Sequence, residues 1–239
     1  MIKDSDFYNK ESGIYSSKRY PAVASTYIQF FFKKRLDITI TLLKQIYCNT
    51  SHASVGKKLL EVGCADGVVV RAIQEKIPNT FSEVVGIDIA PDMVKVASEL
   101  DRSGKAAFYV RGQEPQVNKF DAVVEIGVAN YTDFDAELAY AHEHLVDNGV
   151  FILSIAGNNS LSGYMGGDVG YENFLPYPEY EKKIAEKFII ERVVPVGLRL
   201  PIIWKIPTFA RCIQPVLEVV LRGILGHLFH EKVYMLKKR

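Results

Sequence analysis

The stretch "LLEVGCADGVVV", residues 59–70, decides the fold of this chain. An apolar run ends there in a short loop with two glycines, Gly63 and Gly67, and a second apolar run follows. A buried strand that turns sharply into a helix gives this pattern, because the helix opens with unpaired backbone N–H groups and glycine lets a ligand approach them. The sequence therefore predicts a strand, loop and helix that hold a nucleotide-like ligand.

The segments after this loop continue to alternate between short apolar strands and helices. Strands are expected at 58–63, 83–89, 106–112, 120–127 and 150–155, and helices at 68–77, 91–100 and 135–146. Asp147, Asn148 and Gly149 are expected to form the turn into the fifth strand. Such alternation favours a parallel sheet with helices on both faces, so we predict an α/β, doubly wound fold.

The two flanks of this core differ from it in composition. We expect one domain over residues 1–239, with a helical arm or cap at 1–57, a ligand-binding core at 58–156 and a substrate segment at 157–239. The arm carries one or two helices at 23–47, by the spacing of its apolar residues. The last segment is read as a polar, tyrosine-rich loop at 157–178, a charged exposed helix at 179–188, strands at 189–198 and 229–238, and a helical insert at 203–228.

Length and charge exclude several classes of protein. At 239 residues the chain suits one large domain, since domains have about 150 residues. A formal charge of +1, from 29 basic and 28 acidic residues, gives no electrostatic case for nucleic acid as a partner. No signal peptide is visible at the N-terminus, and we expect a cytoplasmic protein.

Cysteines and apolar runs exclude further classes. The three cysteines, Cys48, Cys64 and Cys212, fit neither a disulfide framework nor a zinc site, so no metal is expected. The apolar stretch at 201–229 is interrupted by charged residues and prolines, and we expect no transmembrane segment.

The loop does not match the common phosphate-binding patterns. From Gly63 the chain reads G-C-A-D-G-V, which is neither the G-x-G-x-x-G fingerprint nor a P-loop. Glu61 lies in the apolar strand just before the loop, where a carboxylate needs a partner or a purpose. Asp88 ends the second strand, where doubly wound sheets place a carboxylate for ribose hydroxyls. A nucleoside without a diphosphate fits this pattern.

At these residues the sequence resembles the class I S-adenosylmethionine-dependent methyltransferases. "EVGCADG" matches the family's first motif at Glu61, Gly63 and Gly67, with Ala65 at the middle glycine. Alanine is expected to fit this position if its backbone has an ordinary negative φ, and its methyl group narrows the approach of the methionine part of the cofactor. The resemblance implies S-adenosylmethionine as cofactor, with Asp88 on its ribose.

The resemblance extends to other parts of the cofactor site. It places Ile89 beside the adenine and Gln113 or Glu114 at the adenine amino group, and it counts Gly127, at the end of the fourth strand, among the cofactor-binding residues. Residues 8–21 resemble N-terminal segments that fold over the cofactor, so Tyr15, Arg19 and Tyr20 are expected to close the pocket, with Arg19 pairing the methionine carboxylate. A surface arm is the alternative for this segment.

The family's ending also suits this chain. Its reversed last strand corresponds to 229–238 and pairs with 189–198, which implies a mostly parallel seven-stranded sheet with an antiparallel last strand. Asn130 and Tyr131 follow the fourth strand, where such enzymes meet their substrate, and Asp168 in the long loop is the carboxylate we nominate as catalytic base. A hydrogen-bonded loop and a solvated acid are the alternatives for these residues.

The overall layout is similar to that of bacterial methyltransferases that modify surface glycans. We expect O-methylation of a sugar or glycan precursor in bacterial surface polysaccharide biosynthesis. The alternatives are methylation of a small metabolite, such as a polyketide, quinone or amino compound, and a catalytically weak cofactor-binding protein. Three roles remain open for the insert at 203–228. It could pack on the core, contact a second copy in a homodimer, or bind a membrane surface as part of a peripheral protein.

Overall fold

The computed structural model describes residues 5–48, 56–115, 119–164, 174–200 and 206–239. In this part of the chain one sheet runs through the molecule. Its strands are β1 (Lys57–Val62), β2 (Phe81–Asp88), β3 (Ala106–Val110), β4 (Phe120–Ile126), β5 (Leu145–Ala156), β6 (Phe188–Val196) and β7 (Glu231–Lys238).

The strand order is β3-β2-β1-β4-β5-β7-β6. β1 to β5 pair in parallel, and β7 runs antiparallel to both β5 and β6. The predicted α/β fold, with a mostly parallel seven-stranded sheet and an antiparallel last strand, is therefore confirmed.

Helices cover both faces of the sheet. They are α1 (Ser5–Asn9), α2 (Tyr15–Arg19), α3 (Tyr27–Tyr47), α4 (Val68–Lys76), α5 (Pro91–Leu100), α6 (Phe134–His144), α7 (Leu161–Tyr164), α8 (Tyr177–Lys187) and α9 (Pro207–Leu225). No helix among the described ranges is both long enough and apolar enough to cross a membrane.

Strand alternation builds two apolar layers. In β5, Val150 and Ile152 face the layer that contains α3 and α4, whereas Phe151 and Leu153 face the layer that contains α6 and α8. Each such buried side chain contributes roughly 1.5–3 kcal/mol. A slip of one residue would exchange the two layers, so the pattern fixes the register of the strand.

The N-terminal cap is one long helix preceded by two short ones. Thr26 and Gln29 form a reciprocal capping box at the start of α3: the Thr26 side chain accepts from the Gln29 N–H, and the Gln29 side chain accepts from the Thr26 N–H, both at 3.2 Å. At the other end, the Tyr47 hydroxyl donates to the Asp121 carbonyl at 2.9 Å and fixes the helix against β4.

Some local expectations were wrong. Asp147, Asn148 and Gly149 lie within the bounds of β5, because Leu145 already pairs with Phe120 before regular pairing resumes at Val150. The residues between these two pairs accommodate the shift in register, and Asn148 among them has a φ of 63°.

The helix expected to be charged and exposed has a buried face. α8 buries Tyr177, Tyr180 and Ile184 against the sheet layer, although its other positions are charged. Within the loop expected at 157–178, residues 161–164 form α7 and α8 begins at Tyr177.

The helical insert between the last two strands is α9. Its Glu218 is buried, accepts from the Leu198 N–H at 3.2 Å and lies 2.7 Å from the Lys34 ammonium on α3. One side of the insert therefore packs against the N-terminal cap, while Val216, Val219, Val220 and Ile224 lie exposed on other positions of the helix.

Candidate functional site

The loop between β1 and α4 is held against the end of β2. The backbone N–H groups of Gly63 and Cys64 both donate to the Ile87 carbonyl, at 2.8 and 2.9 Å. Gly63 has a φ of 71°, and a Cβ there would overlap the Val128 side chain. Only glycine satisfies both constraints, which explains the first glycine of the motif.

Ala65 does not have the expected negative φ. Its φ is 48°, in the left-handed region, which costs an L-residue about 1–2 kcal/mol. The Ala65 N–H donates to Asp88 Oδ2 at 2.8 Å, and its methyl group packs with Ala90 and Met93. These contacts hold the residue in a backbone conformation that suits glycine.

Asp88 joins the loop to the start of α5. Its Oδ2 accepts from Ala65, and its Oδ1 accepts from the Ala90 N–H at 2.9 Å. Burial raises the pKa of Asp88, and the backbone hydrogen bonds oppose that rise. Asp88 also lines the cavity described below, and its contact with the ribose stays a prediction.

Glu61 has a backbone partner inside the protein. Its Oε2 accepts from the Val70 N–H in the first turn of α4, at 3.1 Å. Burial raises the pKa of Glu61 well above its usual range, and nearby Asp88 and Asp66 add to the rise. Glu61 therefore anchors α4 to β1 and does not itself line the cavity.

A first cavity of about 320 Å³ opens at the carboxyl ends of β1, β2 and β4. The predicted residues in its wall are Tyr15, Gly63, Ala65, Asp88, Ile89, Gly127 and Tyr131. The wall residues that sequence reasoning missed are Tyr8, Ile87, Met93, Arg111, Ile126, Val128, Thr132 and Asp133. We call this space the donor cavity.

Gln113, Glu114 and Gly67 lie outside that wall. Glu114 accepts from the Tyr140 hydroxyl at 2.8 Å, and Arg111 lines the cavity instead, while its guanidinium pairs with the Glu137 carboxylate at 2.6 and 2.9 Å. Gly67 precedes α4 and lies close to the Phe108 ring. The assignment of Gln113 or Glu114 to the adenine stays a prediction.

The N-terminal segment lies over the loop. The Ser16 N–H donates to Asp66 Oδ2 at 2.9 Å, and the Ser16 hydroxyl donates to the same oxygen. On α1, Asn9 accepts from the Asp92 N–H at 3.1 Å. The arm is thus attached to the loop before α4 and to the first turn of α5, and Tyr8 and Tyr15 lie in the wall of the donor cavity.

Tyr8 is a residue that the sequence offered but that we did not select. Tyr8 is the first residue of the segment 8–21, and only its position relative to Tyr15 could have identified it. Burial raises the pKa of Tyr8 to about 12, with Tyr131 and Asp88 contributing. The Tyr8 phenol therefore stays protonated. It lies near Asp88, the carboxylate that is expected to contact the ribose.

A second cavity, of about 390 Å³, adjoins the first. Tyr8, Tyr15, Gly127 and Tyr131 line both. The rest of its wall is rich in rings and arginines and comprises Arg19, Tyr27, Ile28, Phe31, Phe32, Arg35, Asn130, Ala156, Phe174, Arg199, His230 and Glu231. We call this space the acceptor cavity.

The structure describes two of the three nominated catalytic residues, and these two differ in what their side chains contact. Tyr131 lies on the wall that the two cavities share. The Asn130 side chain donates to the Ala156 carbonyl and accepts from the Ala156 N–H, each at 2.8 Å, so its amide holds the end of β5. Asp168 lies outside the described residues.

Two arginines of the acceptor cavity have acidic partners. Arg35 Nη1 donates to both carboxylate oxygens of Glu231, at 2.9 and 3.1 Å, and its guanidinium packs against Gly127. Arg19 lies 2.6 Å from the Glu11 carboxylate and 4.3 Å from the centre of the Tyr15 ring.

His230 is held neutral in this wall. Burial lowers the pKa of His230 to about 4, Glu231 opposes that effect, and Arg199 and Arg35 add to it. At neutral pH the imidazole carries no charge, and the positive charge of the cavity comes from its arginines.

Comparison with known proteins agrees with this geometry. Residues 60–151 match the family model described as "Methyltransferase domain". Juvenile hormone acid O-methyltransferase of Bombyx mori is 32% identical over 69 residues, which are 26% of this chain and 25% of that protein. Ubiquinone biosynthesis O-methyltransferase of Thiobacillus denitrificans is 28% identical over 142 residues, 57% of this chain and 60% of that protein. The chain thus matches less than two thirds of each relative's length.

Solved structures share the fold across nearly the whole chain. Magnesium protoporphyrin IX methyltransferase from Synechocystis aligns with a TM-score of 0.65 at 14% identity and covers 98% of this chain and 97% of its own. A cyclase, SpnF, aligns with a TM-score of 0.64 at 16% identity and covers 99% and 97%. The domain match and the fold confirm the resemblance to class I S-adenosylmethionine-dependent methyltransferases.

The left-handed backbone at residue 65 predicts an uneven response to substitution. Ala65→Val should lower the free energy of unfolding by on the order of 2 kcal/mol or more, because a β-branched residue is strained at positive φ. Ala65→Gly should stay within about 1 kcal/mol of wild type, because strain relief offsets the lost methyl burial and the added chain entropy. Urea unfolding measures both, and a stable Ala65→Val variant would contradict the assigned backbone.

The buried imidazole predicts an acid-dependent loss of stability. The unfolded chain takes up the His230 proton near pH 6.5 and the folded chain only near pH 4, so stability falls as the pH drops through this window. Relative to His230→Gln, wild type should lose on the order of 2 kcal/mol between pH 7 and 5.

Urea unfolding at pH 7, 6 and 5 checks this, with His227→Gln as the matched control at an exposed histidine. If the free energy of unfolding changes with pH to the same extent in wild type and in His230→Gln, the imidazole is not held neutral.

Proposed function

We propose that this protein transfers a methyl group from S-adenosylmethionine to a small-molecule acceptor. The observation that carries the proposal is the pair of adjoining cavities, which share a wall at Tyr8, Tyr15, Gly127 and Tyr131. A donor in one and an acceptor in the other would meet across that wall, at the carboxyl end of the parallel strands, where such sheets bind ligands.

The donor cavity suits the cofactor. Asp88 offers a carboxylate for the ribose hydroxyls, and Ile89 and Met93 offer apolar surface for the adenine. The backbone at Gly63 and Ala65 leaves room for the methionine part. Arg19 stays our candidate for the methionine carboxylate, although it lines the second cavity; the carboxylate would have to reach it past the shared wall and displace its partner Glu11.

The chemistry of this transfer places modest demands on the protein. When bound, the cofactor supplies a methyl group on a positively charged sulfur, and that charge disappears in the displacement. Alignment and exclusion of water then contribute much of the acceleration. Tyr8 and Tyr15 cover the shared wall, and burial raises the pKa of Tyr131, so its phenol would donate a hydrogen bond rather than accept a proton.

For the acceptor, we keep O-methylation of a sugar or glycan precursor as the finer proposal. Rings such as Tyr27, Phe31 and Phe174 can pack on the C–H faces of a sugar. A specific observation also favours a small metabolite: the same wall is rich in aromatic rings, and two relatives are named for ubiquinone biosynthesis and for a hormone acid.

A second candidate function is cofactor binding with little or no methyl transfer. The strained Ala65 at the middle glycine position supports it, as does the cyclase with the same fold. A proposal of binding alone and a proposal of turnover differ only in the second step of the following test.

Calorimetric titration should show one molecule of S-adenosylmethionine or S-adenosylhomocysteine bound per chain, with a dissociation constant between about 1 μM and 1 mM. Incubation with sugar nucleotides, glycans and small phenols, followed by mass spectrometry, should then reveal a product heavier by one methylene. Binding without any product would favour the non-catalytic alternative. The absence of any heat of binding at high micromolar protein concentration would contradict both proposals, methyl transfer and cofactor binding alone.

The arm should control how fast the cofactor leaves. Ser16→Ala removes the hydroxyl that donates to Asp66, and a hydrogen bond to a charged group contributes about 1.5–3 kcal/mol. We expect dissociation of S-adenosylhomocysteine to become roughly tenfold faster, as measured by stopped-flow displacement.

Ser17→Ala is the matched control, because that exposed hydroxyl donates only to the nearby Ile14 carbonyl at 3.0 Å. If S-adenosylhomocysteine dissociates at the same rate from Ser16→Ala and Ser17→Ala, the arm is not part of the cofactor site.

A further inference from the structure

Among the described residues of its wall, the acceptor cavity has one carboxylate, that of Glu231. Glu231 is the first residue of β7, and its backbone pairs with Ala156 at the end of β5 and with Val196 at the end of β6. Ala156 lines the same cavity. Two neighbouring strands therefore fix the position of a carboxylate that is only 5% exposed.

Arg35 holds this carboxylate in an ion pair. Arg35 Nη1 donates to both oxygens of Glu231, at 2.9 and 3.1 Å, and the Arg35 side chain is itself buried. A carboxylate has about four lone-pair sites, so a second donor can bind beside the guanidinium. Desolvation of two buried charges largely offsets their attraction. Stability alone therefore does not explain why this pair lies in the cavity wall.

Two observations place Glu231 beside the wall that the two cavities share. Gly127 lies in that wall, and a Cβ at this position would be 2.7 Å from Arg35 Nη1, the atom that donates to Glu231. Tyr131 lies in the same wall. Burial raises the pKa of Tyr131, and the negative charge of Glu231 adds to that rise. The carboxylate is therefore close to the place where donor and acceptor would meet.

The charge of Glu231 favours one class of acceptor group. A hydroxyl donates a short, strong hydrogen bond to a carboxylate, whereas a second carboxylate would be repelled and has no proton to give up. The arginines of the wall do not reverse this preference. Arg35 is paired with Glu231, Arg19 lies beside Glu11, and Arg199 also interacts within the protein.

We propose that the methyl-accepting group is a neutral hydroxyl, and that Glu231 is the catalytic residue that binds this hydroxyl and takes its proton. The proposal rests on the proposed function, since it treats the second cavity as the acceptor site. It gives Glu231 the role for which the sequence suggested Asp168.

The step is balanced in atoms and charge. The hydroxyl oxygen forms a bond to the methyl carbon, the carbon–sulfur bond breaks with its electron pair left on sulfur, and the hydroxyl proton passes to a Glu231 oxygen. The positive charge on sulfur and the negative charge on the carboxylate disappear together. The proton then passes from Glu231 to water, which restores the carboxylate beside Arg35.

Matched probes test the recognition of a hydroxyl. A phenol and a sugar both offer this group, so phenol is compared with anisole, and methyl glucoside with its fully O-methylated form. Each is titrated calorimetrically in the presence of saturating S-adenosylhomocysteine. Wild type should bind at least one hydroxyl probe roughly tenfold more tightly than its ether, because a hydrogen bond to a charged group is lost in the ether. Benzoate should bind more weakly than phenol.

Substitutions then assign this preference to one residue. Glu231→Gln keeps the shape of the side chain and removes its charge, so the preference should fall to about threefold or less. The double variant Arg35→Gln/Glu231→Gln leaves neither buried charge without its partner, and it should show the same loss. Both variants should bind S-adenosylhomocysteine within about threefold of wild type, since neither residue lines the donor cavity.

Glu181→Gln is the matched control. Glu181 lies outside the cavity wall and is also a glutamate paired with a cation, because it accepts from Lys232 of β7 at 2.8 Å. Its substitution should leave the preference for the hydroxyl probe unchanged.

Methyl transfer to the preferred probe tests the removal of the proton. With S-adenosylmethionine and saturating probe, Glu231→Gln should form the methylated product roughly 100-fold more slowly than wild type, which is the lower range for loss of a general base. Glu181→Gln should match wild type. Mass spectrometry of the product measures both rates.

The outcomes separate the alternatives. Preference for phenol supports an aromatic acceptor, and preference for methyl glucoside supports a sugar. Equal binding of hydroxyl and ether probes, tighter binding of benzoate than of phenol, or a preference or rate that survives in Glu231→Gln and in the double variant overturns the proposal. Absence of S-adenosylhomocysteine binding, or of product from a bound hydroxyl probe in wild type, would contradict the proposed function. Cofactor binding without hydroxyl preference would contradict only this inference.

Discussion

The site depends on one buried carboxylate. Asp88 accepts from the N–H of Ala65 on one side and of Ala90 on the other, so it ties the loop after β1 to the first turn of α5. Removing a carboxylate from water is costly, and two backbone donors offset that cost. The same group lines the donor cavity, so the side chain that holds the loop also borders the space proposed for the cofactor.

The arrangement of strands could be predicted because it is encoded locally. Apolar runs that end in glycine or proline identified the strands, and Glu61, Gly63 and Asp88 could be placed from their position relative to those runs. The conformation of Ala65 could not be predicted, because its positive φ accompanies hydrogen bonds that the loop donates to Ile87 and Asp88 of β2, more than 20 residues away in the sequence. A sequence shows which residue occupies a position, but not which distant strand forms hydrogen bonds with its backbone.

The acceptor cavity was beyond sequence reasoning for a similar reason. Its wall comes from the arm, α3, the segment after β4 and the start of β7, which are far apart along the chain. Tyr8 and Arg199 carry no local signal, since each becomes significant only when the sheet brings it beside Tyr131 or His230. The nominated Asn130 shows the converse: it lies at the right place, but its amide is used to secure β5.

The pair between Arg35 and Glu231 has a consequence for how the molecule assembles. The two residues are separated by 196 positions, and they join the first long helix to the last strand. During synthesis β7 follows β1 to β5, so Arg35 on α3 gains its partner Glu231 only after those five strands have been made. A chain that stops before residue 231 would keep the residues of the donor cavity and lack one wall of the space beside it.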